Sequence, residues 1–445
     1  MSELPTGWVE TTLTQIAAKI TDGSHNPPRE QPTGLPMLSA KNIRGGVIWF
    51  DEYRRVSLED FEVEHRRTRI SKGDVLLTIV GAIGRSAVVE RNEPFTLQRS
   101  VAVLGELAGM CPHYLQQYTS GPEYQNWLLG NAKGTAQKGI YLKKLSESVV
   151  KVPPLAEQKR IVTKLNALSG KSARVRTELA RIETLVSRYK QAVLSKAFSG
   201  ELTREWRESA DVNIPWQKKT IADVATIASG QTPKGIESAL TENGEVSWFK
   251  VSSMNEPDNL EGLHRSQFRV SSIDARKLGL KIYPVGSVAF PKRGGAIATN
   301  KKRKLRVAAA LDLNLMVLTA TEVDPGFLWW WMQKLDLATI SNGSNVPQIN
   351  NGDIAPLEIE VPPLEEQHEI VCRIETAFAK IDRLAKEAKR ALELVGKLDE
   401  AILAKAFRGE LVSQDENDEP ASVLLERIRA EREAAPKAKR GRSKS

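Results

Sequence analysis

The stretch VPPLAEQKRI (152–161) returns as VPPLEEQHEI (361–370), 209 positions further on. The echo continues, because AVLSKAFSGEL (192–202) returns as AILAKAFRGEL (401–411) at the same spacing. An unchanged spacing at both ends means that no residue has been gained or lost in between. A flexible linker tolerates insertions; a continuous helix with a fixed register does not. Apolar positions agree with a helix. Val162, Leu165, Val175, Leu179, Ile182, Val186, Tyr189, Val193 and Ala197 fall mostly three and four apart. Ile374, Phe378, Ile381, Ala385, Ala388, Leu392, Val395 and Ile402 keep the same rhythm in the second copy. Such a heptad-like stripe is buried against another helix.

The flanks supply the boundaries. Pro153–Pro154 and Pro362–Pro363 suit helix entries, Glu157 and Glu366 favour the positive end of the macrodipole, and Gly200 and Gly409 suit left-handed exits. Each rod of about 45 residues spans roughly 65–70 Å. The simplest arrangement buries the two stripes on each other, antiparallel; the other packs each rod on its own neighbouring domain. Gly170 and Gly396, inside the rods, mark a close approach or a bend.

Before each rod lies a strand-patterned segment, and the two segments are distant relatives. Gly7-Trp8 is answered by Pro215-Trp216, ISKGDVLLTIVGAIG (70–84) by IYPVGSVAFPKRGG (282–295), and GTAQKGI (134–140) by GSNVPQI (343–349). Between these points the spacing drifts to about 213, so the rods are kept and the heads have diverged. The chain divides into a head (1–150), a rod (151–212), a head (213–359), a rod (360–412) and a tail (413–445). In the tail ASVLLERIRAERE (421–433) reads as an amphipathic helix, followed by the basic PKAKRGRSKS, a phosphate contact or a solubilising end.

Composition narrows the function. The 41% hydrophobic content supports real cores. No run is long and apolar enough to span a membrane, and the start lacks the pattern of a signal peptide. Two cysteines in unlike contexts, Cys111 and Cys372, argue against a disulfide framework and for the cytoplasm. A formal charge of +9 favours a polyanionic partner. Lys301, Lys302, Arg303, Lys304 and Arg306 crowd together, either toward such a partner or as a solvated loop.

Catalytic patterns are missing. NPPR (26–29) ends in Arg29 where an amino-methyltransferase loop places an aromatic ring, and there is no GxGxxG or GxxxxGK[ST]. The Pro257-Asp258 pair lacks the downstream acid-x-Lys partner of a nuclease core. No HExxH or CxxC occurs among the five histidines and two cysteines, so neither a metal nor a cofactor site is expected. Several loops instead carry DNA-reading chemistry, since Asn and Arg pair bidentately with adenine and guanine edges. SAKNIRGG (39–46) offers Lys41, Asn42 and Arg44, and GAIGR (81–85) offers Arg85; each also reads as a plain turn. KGTAQKGIY (133–141) offers Lys133, Thr135, Gln137, Lys138 and Tyr141. Its partner NGSNVPQINN (342–351) offers Asn342, Ser344, Asn345, Gln348 and Asn350. FPKRGG (290–295) adds Lys292 and Arg293, and the basic run adds Lys301. FLWWWMQK (327–334) reads as core or subunit contact.

With these residues in view, the duplicated PPLAEQ…AVLSKAFSGELT and PPLEEQ…AILAKAFRGELV resemble the conserved regions of type I restriction-modification specificity subunits. TDGSH, GDVLLTIVGAIG and GTAQKGI resemble recurring phrases of their target recognition domains, and LLERIRAERE with its basic tail is similar to the K-12 branch. The resemblance spans essentially the whole chain. It implies an α+β fold: two mixed α/β recognition domains joined by two long helices in an antiparallel coiled coil, with the N-terminal region meeting the C-terminal conserved region in a circular pseudo-twofold arrangement. It further implies a subunit without catalysis of its own. Each domain would read half of a bipartite, asymmetric double-stranded DNA target. Two modification subunits would bring S-adenosylmethionine and methylate adenine at N6, and two restriction subunits would add ATP- and Mg-dependent translocation and cleavage. A coiled-coil scaffold without DNA readout and a stand-alone methyltransferase are the competing readings.

Overall fold

The computed structural model describes residues 4–107, 109–134, 138–210, 214–343 and 346–434. It divides into two compact units, residues 1–179 with 390–445, and residues 180–389. Each unit holds one head with the nearer parts of both rods.

Both rods form as unbroken helices of 43 residues, Leu155–Ala197 and Leu364–Ala406. The prolines stand just outside, and the Pro154 and Pro363 carbonyls accept the first helical bonds from Gln158 and Gln367. Gly200 and Gly409 close the exits at φ +75° and +77°, a conformation that a Cβ disfavours. The rods run antiparallel. In the first unit Asp399 accepts from Ser172 and Arg176, both at 2.6 Å. In the second, Lys190 donates to Asp382 at 2.6 Å, with its ammonium 5.0 Å from the centre of the Phe378 ring.

Two expectations about the rods resolve differently from their simplest form. The stripes are only partly covered by each other: Leu179, Ile182, Val186, Ile381, Leu392 and Val395 are half-buried, and Val175 and Tyr189 are exposed. Two helices alone cannot enclose a stripe this wide. Full burial comes at the rod ends. Ile161, Val162 and Leu165 enter the core of the first head together with Ala406 and Phe407 from the far end of the second rod. Ile370 and Ile374 enter the second head's core with Leu194 and Ala197. The repeated AF-GEL phrase is therefore a docking phrase: Phe407 packs edge-on against Tyr118 at 5.1 Å, and Phe198 lies 5.2 Å from Phe327. Gly170 and Gly396 face open space, with nothing beyond their own helical turn within 4 Å of a Cβ built at either, so they mark no close approach among the described residues.

Entry to each rod is fixed by the Glu-Gln pair of the repeat. The buried Trp8 indole donates to Glu157 at 3.0 Å, and Trp216 donates to Glu366 at 2.9 Å. The Gln158 amide donates to the Pro153 carbonyl and accepts from the Cys111 amide, each at 2.9 Å. Gln367 repeats this with Pro362 at 2.9 Å and Asp324 at 2.8 Å. A two-stranded antiparallel ribbon precedes each entry, Val9–Thr12 with Val149–Val152 and Gln217–Thr220 with Glu358–Val361. Glu366 also accepts from Thr203 and Arg207. Glu157 has no directly bonded arginine among the described residues, and burial pushes its carboxyl above the ordinary range, against the pull of Trp8 and Arg160.

The first head is built on a four-stranded antiparallel sheet in the order Lys19–Asp22, Val101–Gly105, Val75–Thr78, Ser86–Val88. The second head repeats it as Ala225–Ser229, Leu315–Ala320, Val288–Pro291, Arg303–Lys304. The central strands are buried on both faces, and their unbroken apolar runs follow from that. A mixed sheet accompanies each, three-stranded in the first head and four-stranded in the second, with Leu35–Leu38 parallel to Thr96–Leu97 and Val246–Phe249 parallel to Ala309–Leu311. In the first unit the N-terminal segment meets the C-terminal region. The Ala421 amide donates to the Gly7 carbonyl at 2.9 Å, and Leu424, Leu425 and Ile428 of the helix Ala421–Ala434 complete the head's core. The basic 436–445 lies outside the described residues.

The basic run of the second head is largely built into the fold. Lys302 is only 3% exposed and donates to the Asn300 side chain at 2.8 Å and to the Leu335 carbonyl. Arg303 donates to the Lys302 and Met254 carbonyls, and the Lys304 ammonium lies 5.7 Å from the centre of the Trp329 ring. Burial pushes the Lys302 ammonium down to about 8, with Asp336 pulling the other way.

Three outcomes test this packing. Gly170→Ala and Gly396→Ala should each raise stability by about 0.5–1 kcal/mol in urea unfolding, since neither site needs the freedom of glycine. Trp8→Phe leaves a buried carboxylate without its donor and should cost about 1–3 kcal/mol. For Lys302 the folded chain loses its proton at lower pH than the unfolded chain, so the unfolded state holds more protons in between and stability rises with pH there. The stability of the parent relative to Lys302→Met should therefore increase by about 1–3 kcal/mol between about pH 7.5 and 10.

Candidate nucleic-acid interface

The central strands Val75–Thr78 and Val288–Pro291 each run into one of the loops selected from the sequence, and the backbone then joins that loop to a second. In the first head the Ile79 amide donates to the Ser100 carbonyl at 2.9 Å, and the Ile79 carbonyl accepts from Ile140 at 2.9 Å. Val80 bridges Gly139, the Gly81 amide donates to the Lys138 carbonyl at 3.1 Å, and Lys133 and Gly139 exchange two bonds of 2.8 Å. The second head repeats this bond for bond. Lys292 donates to the Asn314 carbonyl at 2.7 Å and accepts from Ile349 at 2.8 Å. Arg293 bridges Gln348, Gly294 donates to the Pro347 carbonyl at 2.8 Å, and Asn342 and Gln348 exchange two bonds of 2.8 Å.

This network fixes which residues correspond. Lys133, Lys138 and Gly139 answer to Asn342, Pro347 and Gln348, while Ile79, Val80 and Gly81 answer to Lys292, Arg293 and Gly294. GAIGR and FPKRGG thus share an address, with the Lys-Arg pair in the two positions directly before the shared glycine. The hub turns around Ser100 and Asn314 were not singled out in the sequence. Their signal was available, since QRSVAVL and DLNLMVL each set a polar turn directly before a buried strand.

The selected side chains fall into three groups. Arg85, Lys133, Lys138 and Arg293 are exposed and have no acidic partner among the described residues; Tyr141, 72% exposed, stands just before the helix Leu142–Ser146. A second group is engaged but reachable. Lys41 lies 3.5 Å from Glu52, and Arg44 pairs with Asp51 while its guanidinium lies 5.0 Å from the centre of the Trp49 ring. Lys292 donates to Ser229 at 3.0 Å, Lys301 to Asn255, Asn342 to Asp353, and Gln348 to Asn350 at 2.7 Å. Asn350 also precedes the short helix Asn351–Ile354, its amide donating to Asp353 at 2.7 Å. Asn42 stands apart, 1% exposed: its side-chain oxygen accepts from the Ser39 amide at 2.9 Å, and its amide donates to the Trp49 and Glu52 carbonyls. Every polar position of that side chain serves the turn. Thr135, Gln137, Ser344 and Asn345 lie outside the described residues.

Concavity points elsewhere. A cavity of about 440 Å³ in the first head is lined by Trp49, Phe50, Phe95, Val88 and His113, at the end of strand Ser86–Val88 away from Arg85, and none of the candidate residues lines it. The candidate surface is a set of cationic and amide-rich loops outside that cavity, which suits a groove-bearing polyanion better than a small ligand. Among the described residues no group of three or more acidic, His or Cys side chains could hold a metal, and no helix is long and apolar enough to cross a membrane.

Comparison with known proteins agrees with this geometry. Residues 5–184 and 213–394 match the type I restriction modification DNA specificity domain family, one match for each head and its rod. The chain is 26% identical to the EcoKI specificity subunit of Escherichia coli (strain K12), covering 100% of this chain and 99% of the relative. It is 28% identical to the StySPI specificity subunit of Salmonella potsdam over the same shares. Its fold is similar to the HsdS subunit from Thermoanaerobacter tengcongensis (TM-score 0.61, 20% identity, 92% of this chain and 99% of that one). It is also similar to a chain solved within a type I R-M system (TM-score 0.70, 19% identity, 92% and 100%). Subunits of this family are non-catalytic, and the cofactors of the system reside on the modification and restriction subunits. Two heads of one design on two antiparallel rods, matched twice over, place the chain in the type I restriction-modification specificity family, as a DNA specificity subunit with two target recognition domains.

Proposed function

We propose that the two heads, 1–150 and 213–359, read the two unlike halves of a bipartite, asymmetric double-stranded DNA target. The carrying observation is the bond-for-bond repetition of the loop network with different side chains on it: Lys133, Lys138 and Val80 in one head, Asn342, Pro347 and Arg293 in the other. One scaffold with two sets of donors and acceptors selects two different sequences. Arg85, Lys133, Lys138 and Arg293 act first, as unpaired cations facing the duplex. Lys41, Arg44, Lys292, Lys301, Tyr141, Asn342, Gln348 and Asn350 act with them. Asn42 is left out of this set and holds its turn.

The rods, 151–212 and 360–412, fix the gap between half-sites and dock two modification subunits, and the helix Ala421–Ala434 packs on the first head. Exposed Val175, Tyr189, Leu384, Leu394 and Leu398 support docking, because the rods carry more apolar surface than their pairing covers. In the assembled cytoplasmic complex the modification subunits use S-adenosylmethionine to methylate adenine at N6. Two restriction subunits use ATP and Mg to translocate and cleave.

Coexpression with a modification subunit, followed by genome-wide mapping of N6-methyladenine, tests the reading. The expected result is one non-palindromic motif of two short halves with a fixed gap, and exchange of residues 1–150 for another subunit's head changes one half only. A contiguous palindrome, or both halves changing together, overturns it.

A further inference from the structure

The hub turn that joins the loops of the first head carries an arginine that the sequence reading passed over. Gln98–Val101 closes as a tight turn, Val101 donating to the Gln98 carbonyl at 3.1 Å. The Gln98 amide is held by Leu38 at 2.8 Å and the Arg99 amide by Ser24 at 2.9 Å, while the Ser100 carbonyl accepts from Ile79 at 2.9 Å. The Ser100 hydroxyl accepts from the Ala40 amide at 3.0 Å. Beneath the turn the chain crosses at Gly23, where an added Cβ would come within 2.1 Å of the Leu97 oxygen. Ser100 therefore links the 39–46 loop to the 79–85 loop, and through Gly81 and Lys138 to the 133–139 loop. Arg99 stands at the tip of this turn, exposed, with no acidic partner among the described residues.

The second head builds the same turn. Asp312 is held by Phe249 at 2.9 Å, Leu315 closes on Asp312 at 2.9 Å, Lys292 donates to Asn314, and the chain crosses at Gly230. Leu313 stands where Arg99 stands. At the neighbouring address the exchange runs the other way, with Val80 in the first head and Arg293 in the second. Each head thus presents one arginine from this pair of addresses, and the two heads use opposite members of the pair.

We infer that Arg99 is a specificity-determining residue of the first head, reading a guanine edge in its half-site, and that this transposition of arginine contributes to the difference between the two half-sites. The inference rests on the DNA-reading function proposed above. A guanidinium donates bidentately to O6 and N7 of guanine, and this readout requires a rigid base. The turn supplies one, being fixed through the backbone amides or carbonyls of all four of its residues. A phosphate contact requires no such rigidity, and Lys133 and Lys138 on the adjoining hairpin suit that task.

The test uses the full chain coexpressed with its modification subunit, mapping methyladenine for the parent, Arg99→Leu and Arg99→Lys. Both variants should lose about tenfold or more of the preference at one position of the first half. The second half and the gap should be unchanged. Arg99→Lys keeps the charge and should retain more total methylation than Arg99→Leu while relaxing the same position. An unchanged first half in both variants overturns the assignment. So does uniform weakening on all sequences with a shallower salt dependence of DNA binding, which marks a phosphate contact, or a change in the second half. If the parent itself directs no bipartite methylation, the functional reading fails instead, and the two failures are distinguished by the parent's map.

Discussion

The bond from a head tryptophan to the glutamate in the first turn of a rod is the constraint on which the rest of the structure depends. Trp8 with Glu157 and Trp216 with Glu366 join the first residues of each head to the residues that follow its last strand. The adjacent glutamines satisfy the backbone on both sides of the junction, so the direction in which each helix leaves its head is fixed by four polar side chains buried among apolar ones. A buried carboxylate tolerates neither loss of its donor nor a slip of one residue, which would carry it to another face of the helix. The repeated phrase owes its constancy to this geometry.

The same reasoning extends to the far end of each rod. Phe407 and Ala406 belong to the core of the first head, and Ala197 to that of the second, so each head holds the start of one helix and the end of the other. A helix docked at both ends has a fixed length and rotation, and an insertion anywhere inside it would put one docking surface out of phase. The middle of the rods has no such duty. There the stripe is half-open, and Gly170 and Gly396 sit over empty space.

The candidate interface differs in kind from a catalytic cleft. Its side chains are positioned by backbone bonds between loop ends, leaving loop tips free to change chemistry without disturbing the fold. Val80 and Arg293, or Arg99 and Leu313, occupy equivalent backbone positions with unlike side chains. The basic run shows the opposite case: Lys302 and Arg303 satisfy backbone carbonyls within the head. A cluster of cations in sequence is not a cluster on the surface when neighbouring side chains turn inward to satisfy backbone carbonyls.

By itself the sequence determined the head-and-rod order, the register of both helices, the glycine exits and the absence of recognisable catalytic motifs. These follow from local spacing, which survives in one dimension because a helix preserves it. The sequence also located most of the loops that converge. It did not separate Asn42, whose buried amide closes its own turn, from Arg85, which faces solvent. Nor did it find the hub at Ser100, whose partners lie at Ala40 and Ile79. The correspondence of Val80 with Arg293 was likewise hidden, since the spacing drifts where the heads were rebuilt and only hydrogen-bond register restores it. Burial and long-range pairing are decided when distant segments meet, and that is why the arrangement of side chains on the candidate interface belongs to the tertiary structure.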